Sequence, residues 1–192
     1  MNPPPSAAPS SAQLASDALT GVPEVEPSLI ELVEALDAEQ IDAVRELFQE
    51  YARSLSVDLC FQDFDAELEG LPGEYASPEG TLLLAYCGGA LAGCGAMRPL
   101  PDAVEPNACE MKRLYVRRAF RRFGLGRTLA EALMAHATRA GYSSMYLDTL
   151  DDMEAARGLY ASLGFEDVPP YYFNPIPGAH YLRASLEAHS RY

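Results

Sequence analysis

Lys112, Arg113, Arg117, Arg118, Arg121, Arg122 and Arg127 are seven of the fourteen Lys and Arg residues in a chain of net charge −14, and they fall within sixteen positions. Such a concentration predicts an anionic ligand. Gly124 and Gly126 lie inside it, and glycine lets the backbone turn tightly and approach a ligand closely. The helix-patterned segment after them would point its unpaired first-turn N–H groups and positive dipole end at the same place. An apolar run, Leu114-Tyr115-Val116, comes before, so strand, glycine turn and helix form a phosphate cradle. A dinucleotide fingerprint would need G-x-G-x-x-G, but the third glycine position is Leu129; a P-loop would need a lysine after its last glycine, and none follows here.

What remains is R-x-x-G-x-G, Arg121 to Gly126, and it resembles the acetyl-CoA signature of the GCN5-related N-acetyltransferases, the GNAT family. Two further stretches strengthen the resemblance. Glu110 lies fourteen residues before Gly124, and Leu159-Tyr160-Ala161-Ser162-Leu163-Gly164-Phe165 is similar to the family's later helix, which ends in Tyr and then Gly-Phe. The resemblance covers about residues 28–188. It implies an α/β GNAT fold: a mixed central β-sheet flanked by helices on both faces, with splayed central strands that bind acetyl-CoA. The activity implied is transfer of an acetyl group to a primary amine by direct attack in a ternary complex.

The family pattern assigns roles residue by residue. Backbone N–H groups from Arg122 through Arg127, a stretch that includes Phe123, Gly124, Leu125 and Gly126, would hold the coenzyme phosphates, with Thr128 following and Arg121, Arg122 and Arg127 adding charge. Leu114 and Tyr115 would lie beside the pantetheine arm, and the Val116 amide would polarise the thioester carbonyl. Glu110 stands where several family members carry a base. A carboxylate between Cys109 and Met111 would have its pKa raised by desolvation; an ion pair with Lys112 or Arg113, or simple binding of a cationic acceptor, is the competing reading. Tyr160 matches the tyrosine near the donor sulfur, a candidate acid, although its apolar neighbours also suit a core tyrosine. Phe61, Phe64, Tyr171, Tyr172 and Asn174 are candidates for the acceptor site, and the same aromatics could simply pack. The pattern departs at Met153, where many members have a pantetheine-contacting asparagine. His136, His180 and His189 are scattered and read as surface or core residues.

These residues need elements to position them. Ser28 to Ala35 reads as an opening strand, and Asp37 with Gln40 resembles a capping box. Ile41, Val44, Phe48, Tyr51 and Leu55 recur at helical spacing. Val57 to Phe64 has no clean period, and Asp65 to Leu71 reads as a short helix stopped by Pro72-Gly73. Thr81 to Tyr86 and Ala90 to Met97 form a hairpin around Gly88-Gly89. A loop, Pro99 to Asn107, leads to the central strand, Cys109 to Val116. Period two puts Glu110, Lys112, Leu114 and Val116 on one face of it and Met111, Arg113 and Tyr115 on the other, with a break in parity expected beyond Leu114. Leu125, Leu129, Ala132, Leu133, Ala137 and Ala140 make a helix closed by Gly141. A strand from Ser144 to Leu150, a helix from Glu154 to Leu163, a proline-punctuated turn and a last strand from His180 to Leu186 complete the order βαα-ββ-β-α-β-α-ββ.

Composition bounds the rest. At 192 residues and 48% hydrophobic, the chain suits one domain, residues 28–192, behind a Pro/Ser/Ala-rich leader over 1–27 that reads as disordered. Cys60, Cys87, Cys94 and Cys109 include no C-x-x-C and no histidine at ligand spacing, so no metal is expected, and reduced thiols point to the cytoplasm. Arg45 is the first basic residue, which argues against a secretory n-region. No apolar run reaches the roughly 18 residues a membrane span requires. An acidic surface disfavours nucleic acid; it admits a cationic acceptor such as a small amine or a peptide, though net negative charge more often serves solubility. Homodimers are common in the family. Two alternatives stand beside the enzyme: a non-catalytic acyl-CoA-binding or regulatory module of the same fold, and an interaction module built on the aromatic Val57 to Tyr75 region, which leaves the arginines unexplained.

Overall fold

The capping box at Asp37 and Gln40 forms as the spacing predicts. Gln40 N–H donates to Asp37 Oδ1 at 2.8 Å, Asp37 N–H donates back to Gln40 Oε1 at 3.2 Å, and helix α1 runs Ala38–Ser54. This computed structural model describes residues 29–55, 63–103 and 105–186. The leader over 1–27, Phe61 with most of the Val57 to Phe64 segment, and His189 lie outside the described residues.

Seven strands form one sheet in the order β1-β2-β3-β4-β5-β7-β6. They are β1 (Ile30–Glu34), β2 (Thr81–Cys87), β3 (Ala90–Pro99), β4 (Ala108–Val116), β5 (Ser144–Leu150), β6 (Glu166–Asp167) and β7 (Ala179–Ser185). All neighbours are antiparallel except β4 and β5, which the crossover helix α3 (Leu125–Ala140) makes parallel. The mixed sheet and the order of the elements along the chain match the sequence reading. Helices α1 and α2 (Phe64–Gly70) cover one face through Val44, Leu47, Phe48, Phe64 and Leu68. The other face carries α3 through Leu125, Leu129, Leu133 and Ala137, and α4 (Glu154–Ser162) through Tyr160. The stripe on α3 differs from the expected one in that Ala130 and Met134 are buried while Ala140 is exposed. Among the described residues no helix is long and apolar enough to cross a membrane.

The central strand breaks its alternation earlier than expected. Arg113 has φ +56°, and the β3–β4 register passes from Ala96↔Lys112 to Cys94↔Tyr115, so β4 carries one extra residue opposite Gly95. The faces are corrected accordingly: Glu110, Lys112, Arg113 and Tyr115 turn toward α1, α2 and the C-terminal turn, while Met111, Leu114 and Val116 pack on the α3 core. Gly95 lets α3 lie close there, because a Cβ would sit 2.9 Å from Leu133 Cδ1 and that side chain would have to shift. On its other edge β4 pairs with β5 only over Ala108–Glu110 against Ser144–Tyr146. Beyond that point the two strands separate, while β5 stays paired to β7 as far as Leu150↔Ala179. The sheet thus opens between its two parallel strands.

Arg113 is held at the bulge by Glu67 of α2. Arg113 Nε donates to Glu67 Oε1 at 3.0 Å and Nη2 to Oε2 at 2.5 Å, and the Tyr75 hydroxyl donates to Oε1 at 2.8 Å. The two side chains are only 3% and 12% exposed. Deleting one partner of such a pair leaves a buried charge uncompensated, so Glu67→Ala should destabilise the fold by about 3–5 kcal/mol in urea denaturation. Burial opposes the charge on Glu67, but the Arg113 guanidinium outweighs it and holds the carboxyl below its ordinary value of 4.5. A depressed folded-state pKa stabilises above the unfolded value and loses that contribution as pH falls through the folded one. Below about pH 4.5 the wild type should therefore lose more stability than Glu67→Gln, which lacks the titrating group.

Candidate active site

Helix α3 starts without a side-chain cap. Gly124 sits at φ +75°, a conformation other L-residues adopt only with strain, and accepts from Thr128 N–H at 3.1 Å and Thr128 Oγ1 at 3.3 Å. The amides of Leu125, Gly126 and Arg127 precede this first helical bond and have no acceptor within the helix. Gly126 is the more telling glycine. A Cβ there would meet only Leu159 Cδ2, at an ordinary 3.7 Å, and its φ is helical. Nothing in the protein's own packing requires glycine at this position, although glycine in a helix costs up to about 1 kcal/mol relative to alanine.

The basic cluster divides. Lys112, Arg113 and Arg117 face internal carboxylates: Lys112 lies near Glu110 and Asp148, Arg113 binds Glu67, and Arg117 clamps Glu46 and Glu50 of α1 and the Leu91 carbonyl. The concentration read as one anion-binding group is therefore two groups, because the strand carries its half toward the helices on one face. Arg118, Arg121, Arg122 and Arg127 remain around the glycine turn and are exposed. Arg121 Nε donates to the Val116 carbonyl at 3.0 Å, while Arg127 reaches Glu131 at 3.2 Å and Ser162 Oγ at 2.6 Å. Phe123 packs on the α3 core, and Leu125 is buried in it.

Between the separated strands runs a cleft lined by Met111, Lys112, Leu114, Asp148, Thr149 and Tyr160, among others. Arg117 N–H donates to the Ala92 carbonyl on β3 at 2.8 Å, so alternation along the strand turns the Val116 amide to the opposite edge, the open side. Leu114 and Val116 lie along this edge, whereas Tyr115 turns away and its ring meets Tyr51 of α1 at 6.1 Å. Tyr160 lines the cleft at 7% exposure, and its hydroxyl has no hydrogen-bond partner among the described residues. Burial pushes its phenol well up, so it keeps its proton through neutral pH. Met153, at the position that departs from the family pattern, lines the cleft, and its thioether takes a weak bond from Thr149 Oγ1 at 3.7 Å.

A second cavity of about 250 Å³ adjoins the first. Its walls are Glu67, Arg98, Leu100, Asp102, Glu110, Lys112, Arg113, Tyr171 and Tyr172, so Lys112 borders both spaces. Glu110 is 1% exposed, but its surroundings are ionic where apolar ones were expected. The partners are Arg98, whose Nε and Nη2 lie 3.1 and 3.0 Å from Oε2; the Tyr171 hydroxyl, which donates to Oε1 at 2.9 Å; and Lys112, with Nζ 3.6 Å away. Of its two expected ion-pair candidates Lys112 is present, and Arg113 is taken by Glu67. Tyr171 and Tyr172 line the cavity, while Asn174 lines the interstrand cleft and donates to the Tyr172 hydroxyl at 3.3 Å. Phe64 lines neither space. It lies in the α1–α2 core, with the Arg113 guanidinium 5.2 Å from its ring centre, because Arg113 covers it from the cavity side.

Sequence reasoning passed over Arg98 and Asp148 as site residues, and counted Lys112 and Arg113 with the anion-binding group rather than with the acceptor cavity. For Asp148 a signal existed: a lone carboxylate inside Ser-Met-Tyr-Leu-Asp-Thr-Leu, the same kind of mark that drew attention to Glu110. Arg98, at the end of a hairpin strand, carries no comparable mark.

A seven-stranded mixed sheet opened between β4 and β5, with a glycine-capped helix at the mouth, is the frame on which similarity to known proteins can be weighed. The model of the acetyltransferase (GNAT) family matches residues 41–165, and the chain belongs to that family. It is 39% identical over 163 residues to an uncharacterized N-acetyltransferase of Schizosaccharomyces pombe, covering 84% of this chain and 98% of the relative. Among solved structures, a GNAT acetyltransferase from Staphylococcus aureus superposes with TM-score 0.65 at 18% identity, over 82% of this chain and 99% of the other. The PaiA N-acetyltransferase of Thermoplasma acidophilum, solved in complex with coenzyme A, superposes with TM-score 0.61 at 14% identity, over 82% and 99% of the two chains. The protein is an acyltransferase.

The left-handed Gly124 gives the glycine turn a separate test. Gly124→Ala meets open space but must hold φ +75°, so it should lower stability by about 1–2 kcal/mol, read as a drop in Tm.

Proposed function

We propose that the chain binds acetyl-CoA in the β4–β5 cleft and transfers the acetyl group to a primary amine held in the Arg98–Tyr172 cavity, by direct attack in a ternary complex. The observation that carries this reading is Gly126. The protein's packing does not call for glycine there, a helix disfavours it, and its missing side chain leaves the amides of Leu125, Gly126 and Arg127 open to a close anionic ligand. A diphosphate fits that place, with Arg121, Arg122 and Arg127 around it and Phe123 and Thr128 shaping the turn. Acetyl-CoA, when bound, supplies an acyl carbon activated as a thioester.

The chain's own groups do the rest. The Val116 amide, on the open edge of β4, polarises the acyl carbonyl. Leu114 and Met153 flank the pantetheine arm. Tyr160 keeps its proton beside the place where the thiolate departs, and its hydroxyl, which has no hydrogen-bond partner among the described residues, donates to that sulfur. Glu110, Arg98 and Tyr171 set the acceptor wall, and Tyr172 gives it an aromatic face. A cavity of about 250 Å³ suits a small amine or a single side chain inserted from a peptide. Cys87, Cys94 and Cys109 are buried free thiols, which agrees with a reducing, cytoplasmic compartment.

Calorimetry with acetyl-CoA and coenzyme A, joined to a panel of amines (small amino compounds, polyamines, aminoglycosides, peptide N-termini and lysine peptides) scored by thiol release, tests the reading. Heat with the coenzyme but no release with any amine would favour a non-catalytic acyl-CoA-binding module; no heat at all would refute the site. Tyr160→Phe is expected to lower kcat about 100-fold and leave coenzyme affinity within about twofold, the pattern for a group that acts only on the leaving thiolate.

A further inference from the structure

Two carboxylates border the place where the donor cleft meets the acceptor cavity, and their surroundings are not equivalent. Glu110 lines the acceptor cavity only. Its Oε2 is bound by Arg98, its Oε1 accepts from Tyr171, and the side chain is 2% exposed, so both oxygens already have strong donors. Asp148 is the one carboxylate among the described residues that line the interstrand cleft, which it shares with Tyr160. It stands on β5 two residues past Tyr146, where pairing with β4 ends, and its side chain keeps 17% exposure. Lys112 Nζ lies 3.7 Å from Asp148 Oδ1 and 3.6 Å from Glu110 Oε1, so an ammonium group already occupies the space between the two acids.

From this geometry we infer that Asp148 is the group that receives the acceptor's ammonium and takes its proton, and that Glu110 is a positioning residue that fixes Arg98, Tyr171 and the Lys112 ammonium around it. The inference rests on the acetyltransferase reading above and deepens it. The step balances. An ammonium N–H proton passes to the Asp148 carboxylate, the freed nitrogen lone pair forms the new N–C bond to the acyl carbon, and the C–S bond breaks. The thiolate takes a proton from Tyr160, and Tyr160 is reprotonated by the proton that the amide nitrogen sheds; Asp148 returns its own proton to water.

The environment of Asp148 suits an ammonium. From β4 it is faced by Lys112 and Arg113, from the C-terminal turn by Tyr171 and Tyr172, from α4 by Tyr160, from α1 by Tyr51 and from β7 by Tyr181; Glu110 lies across Lys112. The Asp148 carboxylate also acts on the Tyr172 hydroxyl and helps to hold its proton. Burial raises the phenols of Tyr51, Tyr160, Tyr171, Tyr172 and Tyr181, and the negative charge of Asp148 adds to the rise in each. A ring of neutral phenols around one carboxylate is a polar, cation-accepting pocket. The Lys112 ammonium, already in place, shows that the pocket holds such a group.

The test compares Asp148→Asn, Asp148→Glu and Glu110→Gln with the wild type, using the amine that the panel turns over fastest. Asp148→Asn should lower kcat at least 100-fold, remove the acidic limb of the kcat/KM profile, and weaken calorimetric binding of that amine to the coenzyme-free protein at least fivefold, with coenzyme A affinity within twofold. Asp148→Glu should recover part of kcat with the acidic limb restored. Glu110→Gln should raise KM for the amine and keep the acidic limb. Asp148→Asn with kcat within threefold of wild type, or loss of the acidic limb in Glu110→Gln instead, would overturn the inference. A panel in which no amine releases thiol would fail the acetyltransferase reading itself, a result distinct from either.

Discussion

The separation of β4 from β5 is the constraint on which the site depends. A parallel pair that kept its ladder to the end would bury the amides of both edges and leave no space between them. Here the pairing stops at Glu110↔Tyr146, and three residues further on the bulge at Arg113 adds a residue to β4 and increases its local twist. β5 is kept from following by its seven pairs to β7. One strand is thus bound to the left half of the sheet and the other to the right, and the gap between them is the cleft that carries Leu114, Asp148 and Tyr160.

The bulge would be costly without compensation, since it places a cation in the interior. Arg113 is nearly buried, and its bidentate contact with Glu67, backed by the Tyr75 hydroxyl and the ring of Phe64, satisfies the charge. Helix α2 is only seven residues long and supplies both Glu67 and Phe64, so its docking and the bulge of the central strand are one interaction seen from two sides. On the opposite face Gly95 and Leu133 let α3 lie close over the same kink. The opening of the sheet is therefore braced from both layers, by an ion pair above and by close apolar packing below.

The polar network along β4 follows from that brace. Because parity shifts at Arg113, the consecutive residues Lys112 and Arg113 both turn to the α1–α2 side, where Glu67, Glu110 and Asp148 await them. This removes two of the seven basic residues from the glycine turn. It also sets a cation between two acids at the junction of the two cavities, in a protein whose remaining surface is strongly acidic. The exposed arginines left near Gly124 then form a compact positive area around a helix N-terminus, where anion binding needs no buried counterion.

Local patterns in the sequence determined a good deal. The capping box at Asp37 and Gln40, the hairpin at Gly88-Gly89, the glycine turn before α3 and the stop at Gly141 all depend on residues within a few positions of one another, and each formed where the spacing put it. The family motif, from Arg121 to Gly126 and again from Tyr160 to Phe165, was legible for the same reason. Pairings across the chain were not legible. Arg98 with Glu110, Arg113 with Glu67, Lys112 with Asp148 and Tyr171 with Glu110 join residues from 12 to 61 positions apart. A charge has no period and no preferred neighbour in sequence, so only the packed sheet, with its one-residue slip at Arg113, decides which acid each cation meets.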